Sequence, residues 1–413
     1  MPENPDAELL GDALGIPVER MALRSREPLG GGSVTGFGLA GDGAGDGGTG
    51  NGGTGDDGIP VEGAVEGAEE SAELFYFVDT SRLPVERETG LTLGESDRPE
   101  VRIWQHPADP HLPALPAVSF AQSMDALIAR AGRSAVAAPE LVAYRPGRRA
   151  VLRVACTHGY LWVKVVRPSR VERVVEAHRV CSEAGIPVPA LLMWSPDGVI
   201  VCETADGRPA AETEWRADAL LDEVDELRLR LASVRTERPV RGIRSRLDWY
   251  ASRLGRAAVD AAGDARAVAE IDALVERARR GIAAAVDRAP LVPVHGDLHF
   301  GQLFLGDAGR IAGVIDVDTL GLGDRAEDPA AFLGHAIASA LLTESELALR
   351  VWELADAAAE RWGSDPLVPP LTAVHLLGHA LGATDRGDER MRAALLRIAL
   401  AVMDGRPPSE GAR

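Results

Sequence analysis

The chain has 413 residues, of which 46% are hydrophobic and 26% charged, and its formal net charge is −19. This length allows two or three domains, and no apolar run approaches the roughly 18 residues that a membrane span needs. Residues 1–100 hold 21 Asp and Glu but only 6 Arg, so most of the negative charge lies there. The remaining residues carry a net charge of about −4. With no evident basic patch, nucleic acid and anionic membranes are not expected partners.

The cysteine and lysine content is also informative. Cys156, Cys181 and Cys202 lack metal-ligand spacing and cannot all pair. Together with an N-terminus that lacks a secretory pattern, this favours reduced thiols in a cytoplasmic protein. Among 44 Lys and Arg residues, Lys164 is the one lysine.

In chain order, we assign residues 1–134 to an N-terminal extension that adds strands or a cap to the next domain. Residues 1–29 form a short helix or an unstructured leader, and the Gly-rich residues 30–58 are expected to be flexible. That segment lacks the nonapeptide period of Ca²⁺-binding β-rolls and the flanking strand and helix of a phosphate-binding loop. Further elements expected here are strands at 74–78 and 101–104 and a helix over 117–132.

Residues 135–206 are predicted to form a small β-rich domain. Residues 141–154 have the pattern of a hairpin whose turn contains Gly147, and residues 160–166 form a strand centred on Lys164. A helix follows from Pro168 and stops at Gly185. Ser169 and Glu172 fit a capping box, which leaves Glu176, one turn later, available for another role. Residues 199–205 read as a buried strand.

Residues 207–413 are predicted to be mostly helical, apart from one polar segment that carries the chemistry. The sequence His-Gly-Asp-Leu-His-Phe-Gly-Gln at 295–302 is followed by Val-Ile-Asp-Val-Asp at 314–318. Strands at 303–305 and 311–315, joined by a turn at 306–309, place Gln302 and Asp316 at the same end of a hairpin, beside the loop that displays Asp297. One carboxylate is then placed to accept a proton, and an amide and a second carboxylate can hold a hard cation.

These two motifs at this spacing resemble the catalytic and metal-binding loops of the aminoglycoside phosphotransferase family, which is related to choline kinases. The resemblance covers roughly residues 140–390 and implies a bilobal, protein-kinase-like α+β fold that uses ATP and Mg²⁺. It implies that Asp297 is the catalytic residue, and that Gln302 and Asp316 are metal ligands. Asp318, two positions further along the expected strand, is a possible metal or substrate ligand.

The resemblance also assigns the nucleotide site. Lys164 is expected to bind phosphates and to pair with Glu176, with Glu172 as the alternative. Gly147 and Arg149 are expected near the phosphates, where solvated turn arginines are an equally good reading. The backbone around Glu203 and Ala205 is expected to meet the adenine. The histidines at 335, 375 and 379 are interpreted as ordinary core or pocket-wall residues.

Most relatives have asparagine where this chain has Gln302, and the Gly-Gln variant resembles bacterial maltokinases. We therefore expect a small-molecule hydroxyl acceptor, a sugar or amino sugar. Two alternatives stay open. One is an aminoglycoside-modifying enzyme, and the other is a non-catalytic pseudokinase that serves as a binding module.

Overall fold

The computed structural model describes residues 4–39, 73–95, 98–262, 265–285, 290–343 and 346–412. The chain forms two compact units, one of Met1–Val175 and Ala190–Thr204 and the other of Glu176–Pro189 and Ala205–Arg413. Strands dominate the first unit and helices the second, so the predicted α+β class is confirmed. Within the ranges given above, none of the helices combines the length and apolarity that crossing a membrane requires.

The N-terminal extension forms an antiparallel five-stranded sheet of its own, with the order β1-β2-β3-β5-β4. The sheet packs on one face against the first helix, where Leu10 and Phe37 are buried in a small apolar core. The predicted strands at 74–78 and 101–104 are both present. The elements are α1 (Pro5–Leu14), β1 (Met21–Leu29), β2 (Gly32–Leu39), β3 (Leu74–Asp79), β4 (Leu91–Glu95) and β5 (Arg98–Gln105).

The prediction that residues 30–58 are flexible is wrong for residues 32–39, which form the second strand of this sheet. Val34 and Phe37 are buried there, so apolar burial outweighs the entropic cost of the glycines. A Cβ at Gly36 would lie 2.7 Å from the ring of Phe77, so the strand needs a residue without a side chain at this point. Residues 40–58 of the predicted segment lie outside the described residues.

The other extension elements differ from prediction in their limits. The expected helix over 117–132 is two helices, α2 (Leu115–Val118) and α3 (Ala121–Ile128), because Phe120 adopts an extended conformation between them. Residues 1–29 contain a helix, which is one of the two structures expected there. They also contain the strand β1, which is not predicted from the sequence.

A second antiparallel sheet follows, with the order β6-β7-β8-β10-β9. Lys164 lies at the centre of β8, opposite Val151 on one neighbour and Ile200 on the other. Leu29 and Trp104 of the first sheet share an apolar core with Leu152 of the second. The elements are β6 (Glu140–Arg145), β7 (Arg149–Cys156), β8 (Gly159–Val166), α4 (Pro168–Glu183), β9 (Leu191–Trp194) and β10 (Val199–Glu203).

The second unit is mostly helical and has one continuous apolar core. Its two small sheets have the orders β11-β13-β14 and β12-β15. The helices are α5 (Ala217–Leu231), α6 (Leu247–Ala262), α7 (Ala265–Ala285), α8 (Glu327–Leu342), α9 (Glu346–Trp362), α10 (Val368–Asp385), α11 (Glu389–Met403) and α12 (Pro408–Ala412). The strands are β11 (Arg208–Pro209), β12 (Val292–Val294), β13 (Leu303–Leu305), β14 (Ile311–Val314) and β15 (Gly321–Gly323).

The structure groups the N-terminal extension and the second sheet in one unit. The proposed three-part division at residues 134 and 206 stays a prediction.

Candidate active site

The hairpin of β13 and β14 places two of the predicted site residues side by side. Leu303 pairs with Val314, and the N–H of Ile315 donates to the carbonyl of Gln302 at 3.1 Å. Gln302 immediately precedes β13 and Asp316 follows β14, so both lie at the same end of the ribbon, as the sequence suggested. Asp316 has a left-handed φ of 60°, which turns the chain away from the strand immediately after Ile315.

The change of chain direction at Asp316 alters the expected position of Asp318. The expectation that Asp318 points to the same side as Asp316 assumed a continuing strand, but β14 ends at Val314 and residues 317–319 form a 3₁₀ turn. The expectation of a continuing strand is wrong, and side chains of a 3₁₀ turn do not alternate with a period of two. A metal or substrate role for Asp318 stays a prediction.

The loop that carries Asp297 is fixed by backbone hydrogen bonds. The buried carboxylate of Asp328 accepts the N–H groups of His295 at 3.0 Å and Gly296 at 2.8 Å. The hydroxyl of Thr319 donates to the carbonyl of His295 at 2.7 Å. These three hydrogen bonds hold the backbone of His295 and Gly296, immediately before Asp297.

Gln302 stabilises the same loop from its other end. Its Oε1 atom accepts the N–H of His299 at 3.2 Å, and the side chain is buried. Residues 300–302 form a 3₁₀ turn, so the glutamine side chain reaches back over one turn to the residue that precedes it.

Asp297 lies among imidazole groups. Nε2 of His335, on α8, is 3.3 Å from Oδ1 of Asp297, and an ionised carboxylate can only accept, so the histidine donates. Partial burial raises the pKa of Asp297, but the hydrogen bond from His335 and the electrostatic effect of the surrounding histidines outweigh it and lower the pKa to about 2. The carboxylate is therefore ionised throughout the physiological range.

His299 and His375 complete this surrounding. Burial lowers the pKa of each to about 3, so both imidazoles are neutral at physiological pH. The ring of His335 lies 4.7 Å from that of His299 and 4.8 Å from that of His379, between ring centroids. The sequence predicts that the helical histidines are ordinary core or pocket-wall residues, and this stays a prediction. The repeated Gly-His pairs at 334–335 and 378–379, and the four-residue spacing of His375 and His379, were signals that could have identified the cluster.

The backbone of the predicted phosphate-binding turn is hydrogen-bonded at Gly147 to side chains of the first unit. The N–H of Gly147 donates to Oδ2 of the buried Asp109 at 2.7 Å, and the carbonyl of Gly147 accepts from Arg167 at 2.6 Å. The hydroxyl of Tyr144 donates to the same Asp109 oxygen. The amide of Gly147 is thus already bonded within the protein, and contact with phosphate would fall to other atoms of the turn, Arg149 among them. Both assignments stay predictions.

Two of the remaining predicted nucleotide residues form ion pairs within the protein. Glu176 accepts hydrogen bonds from Arg179 one turn later, at 2.8 and 3.0 Å. Glu203 pairs with Arg133 at 2.6 Å, and Ala205 is buried. The pairing of Lys164 with Glu176, and the adenine contacts of residues 203–205, stay predictions.

The buried carboxyl group of Glu327, next to Asp328 in the chain, makes the stability of the protein depend on pH. Burial raises the pKa of Glu327 to about 7 from an ordinary 4.5, although it accepts the N–H of Ile243 at 3.2 Å. Between these two pH values the unfolded chain releases the proton and the folded chain keeps it, so the free energy of unfolding falls as pH rises.

At about 1.4 kcal/mol per pKa unit, the loss reaches up to about 3 kcal/mol above pH 7. We expect Glu327→Gln to remove this loss while keeping an acceptor for Ile243. Urea unfolding at pH 5 and pH 8 checks it, with the variant gaining on the wild type at pH 8. Equal differences at both pH values would contradict the raised pKa.

Comparison with known proteins gives a consistent result. A model of the phosphotransferase enzyme family matches residues 140–362, more than half of the chain. This confirms the resemblance and the kinase-like fold predicted from the two motifs. No curated protein matches the chain in sequence.

Solved structures with some likeness include an aminoglycoside phosphotransferase APH(4)-Ia mutant bound to ADP and hygromycin B, with 14% identity and a TM-score of 0.49 over 68% of this chain and 97% of that one. A macrolide 2'-phosphotransferase from Brachybacterium faecium has 18% identity and a TM-score of 0.41 over 68% and 98%. An aminoglycoside phosphotransferase from Streptomyces rimosus has 23% identity and a TM-score of 0.39 over 60% and 97%.

Proposed function

Because the chain belongs to the phosphotransferase enzyme family, we propose that it transfers the γ-phosphate of ATP to a hydroxyl of a small polar acceptor, a sugar or amino sugar. The observation that carries this proposal is the hairpin, which brings Gln302 and Asp316 to one end of a ribbon. Gln302 also accepts a hydrogen bond from the backbone of the loop that displays Asp297.

The donor set at the hairpin suits a hard divalent cation. Gln302 and Asp316 offer an amide and a carboxylate oxygen, which are the donor types that Mg²⁺ prefers. The Gln302 oxygen already accepts one hydrogen bond, but an amide oxygen has a second lone pair for a metal. When bound, Mg²⁺ would neutralise charge on the phosphates.

Asp297 supplies the group that orients the acceptor. Its ionised carboxylate accepts the proton of the attacking hydroxyl as the new O–P bond forms and the bond between the γ-phosphorus and the β,γ-bridging oxygen breaks. A pKa of about 2 makes this carboxylate a weak base, so its main contribution is positioning, with proton transfer late in the reaction. This division suits the loose transition state of phosphoryl transfer.

The side chains around Asp297 favour a neutral, hydroxyl-rich acceptor. The partly exposed His299 is uncharged at physiological pH, and a neutral imidazole can both donate and accept a hydrogen bond, as sugar hydroxyls can. A polycationic aminoglycoside would instead be favoured by additional carboxylates. Turnover measured across neutral sugars, amino sugars and aminoglycosides tests this preference. If aminoglycosides are phosphorylated faster than sugars, the acceptor is an aminoglycoside and the sugar assignment is wrong.

The single lysine permits a direct test of nucleotide binding. Lys164 and the N-terminal amine are the amines that an acylating reagent can modify, and each can be followed by mass spectrometry. We expect Mg²⁺-ATP to protect Lys164 while the N-terminal amine reacts at an unchanged rate, which serves as the internal control.

A matched variant extends this test. Lys164→Arg keeps the charge but replaces a compact ammonium with a planar guanidinium, so we expect weaker use of ATP although the cation is retained. Equal acylation of Lys164 with and without Mg²⁺-ATP would exclude Lys164 from the nucleotide site. Protection without turnover of any acceptor would instead support the pseudokinase alternative.

A further inference from the structure

Four of the nine histidines in this chain lie around the candidate catalytic aspartate. His299 comes from the loop, His335 from α8, and His375 and His379 from successive turns of α10. The ring of His335 is central, because its centroid lies 4.7, 5.8 and 4.8 Å from those of His299, His375 and His379. Asp297 orients the attacking hydroxyl and the partly exposed His299 can bind the acceptor, so the transfer reaction leaves the buried His375 unexplained.

Three of these side chains have the spacing of a metal site. One ligand atom each from Asp297, His335 and His375 lies within 4.8 Å of the other two. Oδ1 of Asp297 and Nε2 of His335 are 3.3 Å apart, which matches the roughly 3.3 Å edge of a tetrahedron with metal–ligand bonds of about 2.0–2.1 Å. A bound metal would replace the proton of this hydrogen bond. The third ligand has to approach by up to about 1.5 Å, on the same tetrahedral dimensions.

His375 gives an independent indication of a ligand. Its side chain is 7% exposed, and its Nε2 atom is buried with no hydrogen-bond partner within the part of the chain that the structure describes. A buried polar nitrogen in that state costs about 1–3 kcal/mol, which a bound ligand would offset. Close helix packing holds the Cβ of His375, since a Cβ at Gly334 would lie 2.6 Å from it, so the approach to a metal comes from rotation of the ring about its side-chain bonds.

We propose that Asp297, His335 and His375 form a binding site for a divalent transition metal such as Zn²⁺, and that its occupation inhibits the enzyme. Two imidazoles and a carboxylate suit zinc and leave a fourth position for water, whereas the oxygen donors of Gln302 and Asp316 suit Mg²⁺. The inhibition rests on the proposed function. A carboxylate bound to zinc is a weaker base and is held in the orientation of a metal ligand, so it positions the acceptor hydroxyl and accepts its proton less well.

Metal binding can be tested without any phosphotransfer assay. The untagged full-length chain is titrated with Co²⁺, which shows intense visible d–d bands when four-coordinate, and Zn²⁺ affinity is measured by competition with a chromogenic chelator. We compare wild type with His375→Gln, which keeps a polar side chain but removes the imidazole. His158→Ala, in the turn between β7 and β8, is the matched control for loss of a histidine elsewhere.

The expected result is a four-coordinate cobalt spectrum and Zn²⁺ binding that His375→Gln weakens by at least about tenfold, since even residues outside the ligand sphere contribute that much. His158→Ala should bind like wild type. Equal Zn²⁺ affinity in wild type and His375→Gln, or six-coordinate cobalt, would overturn the site.

Inhibition is measured separately, at fixed Mg²⁺-ATP and with each protein normalised to its own zinc-free rate. Zinc should inhibit the wild type at lower concentration than His375→Gln. Zinc binding with unchanged turnover would overturn the inhibitory role. Zinc binding by a chain that phosphorylates no acceptor would overturn the proposed function and leave the metal site standing.

Discussion

Asp297→Asn is expected to reduce kcat by about 10²–10⁴, the range typical of a positioned proton acceptor. The amide has almost the same shape and can still accept the hydrogen bond from His335. It carries no negative charge, however, and cannot take the proton of the attacking hydroxyl. The loss should therefore appear in kcat and kcat/KM together, as for an interaction made mainly in the transition state.

Folding and nucleotide binding should be preserved in this variant. The side chain of Asp297 is 44% exposed, so the substitution leaves no buried group without its partner. Protection of Lys164 by Mg²⁺-ATP provides the matched check that the nucleotide still binds. Near-normal turnover by Asp297→Asn would refute the assignment of the catalytic residue.

The hairpin at the site could be predicted because its determinants are local. Two short apolar strands flank a turn in which Gly309 has a left-handed φ of 72°, and pairing then fixes the positions of Gln302 and Asp316. The strand of Lys164 was equally accessible, since its alternating burial follows from the sequence pattern. Where few residues separate the partners, local pattern was sufficient.

The features that were missed depend on contacts between distant segments. The strand β2 was obscured by its glycines, and its burial depends on neighbouring strands that supply Phe77 and other apolar groups. Asp109 is 38 residues from the Gly147 amide that it binds, and His335 is 38 residues from Asp297. Sequence spacing alone does not bring such residues together, because the approach is decided by how helices and sheets pack.

Asp328 is the residue whose loss should affect stability and activity together. Its buried carboxylate accepts the N–H groups of His295 and Gly296, and its place in the first turn of α8 favours its negative charge. Asp328→Ala would leave two loop donors unpaired, at about 1–3 kcal/mol each when buried. We expect a loss of about 2–5 kcal/mol in the free energy of unfolding, measured by urea denaturation.

Activity should fall by more than the folded fraction explains, because Gly296 immediately precedes Asp297. A displacement of about 1 Å in a catalytic group can cost about 10²-fold in rate, so kcat is measured at a temperature where the variant is folded. Asp328→Asn is the matched control: it keeps one acceptor oxygen and should lie between the wild type and the alanine variant in both measurements. An alanine variant with wild-type stability would show that the loop is held by other contacts. A destabilised variant with normal kcat would show that the anchor contributes to folding without positioning Asp297.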